Sequence, residues 1–139
     1  MYGYKEHTAD VVLYAEANSF KELLEELAKG FFYFFLEIDF LKEDVRITQS
    51  MQIEYEDYAD LAVSYLNELL YNFEVHQQIL WKIKSFNVQG SVAELILQGI
   101  LYNPQKHPLK GAIPKAATYH RVKVEEKQGK WYAEVVLDI

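Results

Sequence analysis

Apolar residues recur at helical spacing in two stretches of the chain. The first covers residues 20–35 and follows Ser19, whose hydroxyl can cap the first turn while Glu22 completes a capping box. The second covers residues 61–73, and Asp57 stands before it where a carboxylate can cap a helix. The pattern therefore predicts two amphipathic helices.

Alternating apolar and polar positions predict the strands of the protein, which lie at residues 11–17, 45–55, 79–88, 91–102, 118–126 and 131–139. Turns at 87–90 and 127–130 join the last four strands into two hairpins. Residues 103–114 hold all three prolines and form a loop long enough to suggest a function. We predict one α+β domain over residues 1–139, a compact two-layer unit with an antiparallel-rich mixed sheet and two main helices.

The segment Phe31–Phe35 is aromatic on almost every side of the first predicted helix. The run is far shorter than the roughly 20 residues that span a bilayer. A membrane contact or a partner helix stays an alternative, but packing in the core is the favoured interpretation. The amino-terminal segment also lacks the basic start and apolar stretch of a signal peptide. We therefore expect a soluble cytoplasmic protein with no membrane association.

The charge of the chain is unevenly distributed. Its 21 acidic and 14 basic side chains give a net charge of −7, which argues against general electrostatic binding to nucleic acid. Residues 1–80 carry −11, whereas residues 81–139 carry +4 and have no acid between Leu95 and Val124. This division predicts two faces of opposite sign. The basic stretch offers a contact for phosphate, although a solvated loop and strand is the favoured interpretation.

Several classes of chemistry are excluded by missing residues. The chain has no cysteine, so it forms no disulfide, thiol nucleophile or cysteine-ligated metal site. It contains no GxSxG elbow and no glycine-rich phosphate loop. The four histidines show neither an HExxH pattern nor close pairing, which disfavours a histidine zinc site.

The last strand offers a different chemistry. Asp138 would point away from the apolar face, and the carboxylate of Ile139 follows it directly. Two carboxylates this close repel each other and favour a hard cation beside them, with Asp10 as a candidate third oxygen ligand. On composition alone, however, a solvated chain end is the favoured interpretation of Asp138.

Four short motifs follow one another in order along the chain. They are HTADV at residues 7–11, LNELLY at 66–71, KAATYH at 115–120 and VVLDI at 135–139. Together they resemble the signature segments of the archease family across essentially the whole chain. The stretch 105–114 carries more lysine and proline than we expect for the family, and Pro114 directly precedes the third motif.

The resemblance implies a fold of the strand–helix–strand–strand type and an accessory function rather than an enzyme. Such a protein would activate the tRNA-splicing RNA ligase by promoting its guanylylation and multiple turnover. The implied partner is the catalytic subunit of that ligase, with RNA contact indirect or weak.

The resemblance also implies a calcium site formed by Asp10, Asp138 and the terminal carboxylate of Ile139, with Mg²⁺ or Mn²⁺ as other candidate ions. Lys115 matches a lysine that is important for activation. His7 and His120 lie in the motifs and are either further partner contacts or structural histidines.

Two other functions stay open on the sequence. A carboxylate-held ion could activate water in a phosphoesterase, although no acid–base set accompanies the predicted ligands. Exposed aromatic residues or the basic stretch could instead serve a chaperone-like or RNA-binding module. Asn67 and Glu68, in the second motif, are expected to stabilise the helix and its contacts.

Overall fold

The computed structural model describes residues 1–7 and 10–139, with the side chains of Glu6 and His7 left out. Within these residues the helices are α1 (Phe20–Phe35) and α2 (Tyr58–His76), with a short 3₁₀ helix at Phe40–Lys42. The strands are β1 (Tyr2–His7), β2 (Asp10–Ala17), β3 (Ile47–Glu54), β4 (Gln78–Gln89), β5 (Val92–Leu101), β6 (Ala116–Lys127) and β7 (Lys130–Asp138).

The strands form two sheets, of order β1-β2-β7-β6 and β3-β5-β4, and every strand pair described is antiparallel. The α+β prediction is confirmed, with the expected mixed sheet resolved into two antiparallel ones. The sequence pattern does not predict β1, because only Tyr2 and Tyr4 alternate there with more polar residues. The strand is identified by its pairing with β2.

Both predicted helix starts are present. The Ser19 hydroxyl accepts a hydrogen bond from the Glu22 amide at 3.1 Å, and the Asp57 carboxylate accepts one from the Asp60 amide at 2.8 Å. Helix α2 ends at His76, and the next residue, Gln77, takes the left-handed conformation (φ 56°) that commonly terminates helices. Local side-chain chemistry thus fixes the start of each helix.

The aromatic end of α1 lies in the core, as predicted. Phe31, Phe32 and Phe35 are fully buried. The Phe31 ring lies edge-on to those of Phe32 and Phe35, with centroids 5.5 and 5.6 Å apart, and Phe73 of α2 packs against Phe35 at 5.3 Å. No helix in the described part of the chain is long and apolar enough to cross a membrane.

The proline-containing loop between β5 and β6 is held against the end of α1. His107 is 2% exposed, and its Nε2 lies 2.8 Å from Oε1 of the buried Glu43, whose Oε2 receives Lys106 Nζ at 3.1 Å. The Lys110 amide donates to the Phe35 carbonyl at 3.0 Å. These contacts fix the chain that leads into β6.

Candidate functional site

The two strands that carry the predicted metal ligands Asp10 and Asp138 are neighbours in the four-stranded sheet. Strand β2 begins at Asp10 and the antiparallel β7 ends at Asp138, with Val11 paired to Leu137. The two aspartates therefore lie at the same end of adjacent strands, where residues facing across a pair approach within about 5.5 Å. Asp10 is half-buried and Asp138 is exposed.

Lys115 joins this sheet end through its backbone. Its amide donates to the Asp138 carbonyl at 2.7 Å, and the next residue, Ala116, pairs with Asp138 in the β6–β7 ladder. The Lys115 side chain is exposed. The cationic side chain of Lys115 therefore starts directly before β6, next to the backbone of the predicted ligand Asp138.

Helix α2 holds the beginning of β6 from the other side. The Asn67 amide forms two hydrogen bonds with the backbone of Ala117: Oδ1 accepts from the Ala117 amide at 2.8 Å, and Nδ2 donates to its carbonyl at 3.0 Å. Tyr119 then donates its hydroxyl to Asp60 Oδ1 at 3.0 Å, with Ser64 Oγ 3.3 Å from the same hydroxyl. The KAATYH segment is therefore fastened to the helix at two points.

Strand β6 bulges within the end of this segment, starting after Thr118. Between the pairs Thr118–Val136 and Lys123–Glu134, β6 advances five residues while β7 advances two. Arg121 in the bulge takes a positive φ of 57°. His120 is exposed on this bulge, five residues after Lys115, which directly precedes β6.

The remaining predicted residues are placed only in part. His7 pairs with Asp10 through the backbone of the β1–β2 hairpin, but its side chain, like Thr8 and Ala9, lies outside the described residues. Ile139 follows β7 and is 40% exposed. The structure thus brings Asp10, Asp138 and Lys115 to one sheet end, with Ile139 next to it in sequence.

The charged groups at this sheet end have no partner within the part of the chain that the structure describes. No ion pair or hydrogen bond there involves the carboxylates of Asp10 or Asp138, or the ammonium of Lys115. The same described residues contain no group of three His, Cys, Asp or Glu side chains that could hold a metal ion. A cation here would need further oxygen donors, from a backbone carbonyl, water or the Ile139 carboxylate.

Another charged cluster on the same sheet is already neutralised. Glu134 accepts hydrogen bonds from the Tyr132 hydroxyl at 2.5 Å and from Lys5 Nζ at 3.0 Å. These bonds, with the Tyr132 bond the stronger influence, hold the pKa of Glu134 below its usual range. Glu134 is therefore paired on the surface, whereas Asp10 and Asp138 have no partner among the described residues.

Comparison with known proteins gives the family. The model of the Archease protein family (MTH1598/TM1083) matches residues 2–139. The chain belongs to the archease family. Protein archease of Methanosarcina acetivorans is 33% identical over 142 residues, which covers 99% of this chain and 95% of that protein. Protein archease of Pyrococcus furiosus is 31% identical, with 96% and 95% covered.

Solved structures share the archease fold. The solution structure of Protein 1598 of Methanobacterium thermoautotrophicum aligns with a TM-score of 0.77 at 21% identity, covering 99% of this chain and 98% of that one. The crystal structure of an archease, "possible chaperone", from Thermotoga maritima aligns with a TM-score of 0.66 at 23% identity, covering 100% and 98%. At these identities the likeness supports the fold alone.

The four motifs of this archease meet in one region. Asp10 and Val11 of HTADV lie on the strand beside residues 135–138 of VVLDI, KAATYH leads into the strand on the other side of VVLDI, and Asn67 of LNELLY bonds to KAATYH. Sequence reasoning gave Asn67 only a general role in helix contacts. Asn67 lies off the apolar stripe of α2, on the same face as Asp60 and Ser64, so only its place in the LNELLY motif pointed to it.

Proposed function

We propose that this archease activates the tRNA-splicing RNA ligase by promoting its guanylylation and multiple turnover. The observation that carries the proposal is the sheet end at which Asp10 and Asp138 lie on adjacent strands and Lys115 bonds through its backbone amide to Asp138. Family membership supports an accessory role, and the sequence contains none of the common nucleophilic motifs.

In this proposal Asp10, Asp138 and the carboxylate of Ile139 hold Ca²⁺, with Mg²⁺ or Mn²⁺ as alternatives. The donor set fits a hard cation, since carboxylate oxygens are its preferred ligands, and the two aspartates have no other partner among the described residues. The bound ion would offset the repulsion between the carboxylates and tie the start of β2 to the end of β7. Lys115 then extends beside this fixed point towards the ligase.

The shape of the site favours a protein partner over a small substrate. Two clefts of about 630 and 720 Å³ lie elsewhere on the molecule, and neither is lined by Asp10, Lys115 or Asp138. Small-molecule sites are usually concave and largely apolar. Charged groups on a strand end suit a complementary protein surface, where unpaired charges gain partners on docking.

The decisive experiment is multiple-turnover RNA ligation by the cognate ligase with and without this archease. We expect stimulation by the wild-type protein and a strong but incomplete loss of it in Lys115→Ala. The matched control is Lys123→Ala, which removes an exposed lysine further along the same strand whose ammonium pairs with Glu125. Equal activity of the Lys115→Ala and wild-type proteins would contradict the proposed role of the lysine.

The metal is tested separately by calorimetry with CaCl₂. We expect wild-type protein to bind Ca²⁺ and the double variant Asp10→Asn/Asp138→Asn to lose binding, because each substitution replaces an anionic ligand by a neutral one. The double variant should also fail to stimulate ligation. Unchanged Ca²⁺ affinity in this variant would rule out the carboxylate site.

A second candidate is a chaperone-like function, which the description of the Thermotoga maritima relative favours. It predicts that this archease suppresses aggregation of heat-treated partner proteins without any effect on guanylylation. Ligase turnover without stimulation, together with suppressed aggregation, would select this candidate instead.

A further inference from the structure

We infer that Asn67 is a positioning residue for Lys115, acting through the backbone of Ala117. The inference rests on the proposed function, because it assigns Asn67 to the orientation of the lysine that engages the ligase. Its physical basis is the pair of hydrogen bonds, at 2.8 and 3.0 Å, by which one side-chain amide binds both backbone groups of one residue.

The position of β6 in the sheet explains why such a residue is needed. Among the described strands, β6 lies at the edge of its sheet and pairs only with β7. The Asn67 amide supplies an acceptor and a donor to Ala117, as the peptide of a further strand would. Helix α2 therefore substitutes for the missing strand at this one residue.

This arrangement holds the lysine segment from both sides. Lys115 bonds to Asp138 on the sheet side, and two residues later Ala117 bonds to Asn67 on the helix side. At about 3.3 Å per residue along an extended strand, the Cα of Lys115 lies about 7 Å from the Cα of Ala117. Tyr119 adds a third anchor through its hydrogen bond to Asp60, at the start of the bulge.

The contacts of Ala117 indicate that this anchor is well ordered. Its side chain is 4% exposed, so the strand cannot slide or rotate here without exposing apolar surface. The Lys115 side chain, by contrast, is exposed and has no partner among the described residues. The backbone, which Asn67 and Asp138 restrain, then fixes the position from which this side chain starts and the direction of its Cα–Cβ bond.

Helix α2 offers a matched control in Asn72. This residue is also an asparagine and is 7% exposed, but its Nδ2 donates to the Glu68 carbonyl of its own helix at 2.8 Å. Asn72→Ala therefore removes a buried amide of the same kind from the same helix without touching β6. The effect of Asn72→Ala on ligation therefore shows how much activity is lost when a buried amide is removed but β6 is untouched.

The first test is hydrogen exchange of the backbone amides, read by NMR in the full-length protein. In Asn67→Ala we expect the Ala117 amide to exchange at least about tenfold faster than in the wild type, because its acceptor is removed. In Asn72→Ala the Ala117 amide should keep its wild-type rate. Unchanged exchange at Ala117 in Asn67→Ala would overturn the inference, whatever the ligase assay shows.

The second test is a double-mutant cycle in the ligation assay. We expect Asn67→Ala to lower the maximal stimulation about tenfold in the wild-type background and less than about twofold in the Lys115→Ala background, because the two residues act through one group. Equal losses in both backgrounds would show that Asn67 acts independently of Lys115 and would overturn the inference.

A further variant guards against a folding defect. Tyr119→Phe removes the hydroxyl bond to Asp60 at a position that is 58% exposed, so the fold itself is not at risk. We expect faster exchange at the amides around Tyr119 and a smaller loss of stimulation than in Asn67→Ala.

If wild-type archease stimulates no ligase at all, the proposed function fails, while the exchange experiment still decides whether Asn67 anchors the strand.

Discussion

Glu43 anchors the loop that leads into the lysine segment, and its substitution by glutamine isolates the effect of its charge. The carboxylate is 7% exposed and bonds to His107 at 2.8 Å and to Lys106 at 3.1 Å. A hydrogen bond to a buried charged group is worth about 1.5–3 kcal/mol, compared with about 1 kcal/mol for a neutral one. Lys106 is 61% exposed, so solvent reduces its share to below about 1 kcal/mol.

We therefore expect Glu43→Gln to lower the free energy of unfolding by about 2 kcal/mol at pH 7, the difference between the charged and neutral bonds plus the weak lysine pair. For a domain of this size each kcal/mol corresponds to a fall in Tm of roughly 4 °C, so the expected fall is about 8 °C. The loop should loosen first, since Glu43 is its main buried polar contact.

The pH dependence of this effect has a definite sign. Burial raises the pKa of Glu43, but the hydrogen bonds from His107 and Lys106 outweigh it and leave the pKa below its ordinary value of 4.5. A carboxyl group with a lowered pKa stabilises the folded state fully above its unfolded-state pKa. That contribution disappears as the pH falls from 4.5 through the lower pKa of the folded state.

The assay is urea unfolding of the wild-type and Glu43→Gln proteins between pH 3 and pH 7. The control is Glu37→Gln, which neutralises an exposed carboxylate near the same loop. We expect the Glu43→Gln difference to be large at pH 7 and to shrink towards pH 3, with little effect of the control at any pH. A difference that equals the control, or one that persists unchanged at pH 3, would refute the reasoning.

Two further predictions concern the scaffold. Gly99→Ala should destabilise the β4–β5 pair by about 3 kcal/mol, because the new Cβ would lie 1.8 Å from the Ile79 carbonyl oxygen and force the backbone apart. Gly111→Ala is its control, since the nearest atom there is 3.5 Å away, and equal Tm values for the two variants would contradict the prediction. Ser19→Ala should cost about 1 kcal/mol by removing the bond to the Glu22 amide, measured by urea unfolding, and an unchanged midpoint would show that the cap contributes nothing.

Much of the secondary structure was predictable because it depends on neighbours in sequence. The caps at Ser19 and Asp57 and the aromatic stripe of α1 follow from side chains within a few residues of each other. The turn at Gln128 and Gly129 takes the two positive φ angles that a tight hairpin requires. These elements agree with the structure within a few residues.

The sequence predicted which residues form the candidate site but not how they are arranged. The repulsion argument and the motifs selected Asp10, Asp138 and Lys115, but neither specified how the strands that carry them are arranged. The roles of these residues in metal binding and ligase activation stay predictions, as do those of Ile139, His7 and His120.

The sequence by itself determined the helices, the hairpins and the chemical types of the candidate residues, because periodicity and turn chemistry act locally. Only the tertiary structure decided that β2 lies beside β7 and that Asn67 of α2 completes the edge of β6 at Ala117. Such pairings join segments far apart in the chain and depend on which apolar faces bury each other. No local pattern encodes that choice, so the juxtaposition of Asp10, Asp138 and Lys115 emerges only when the core is packed.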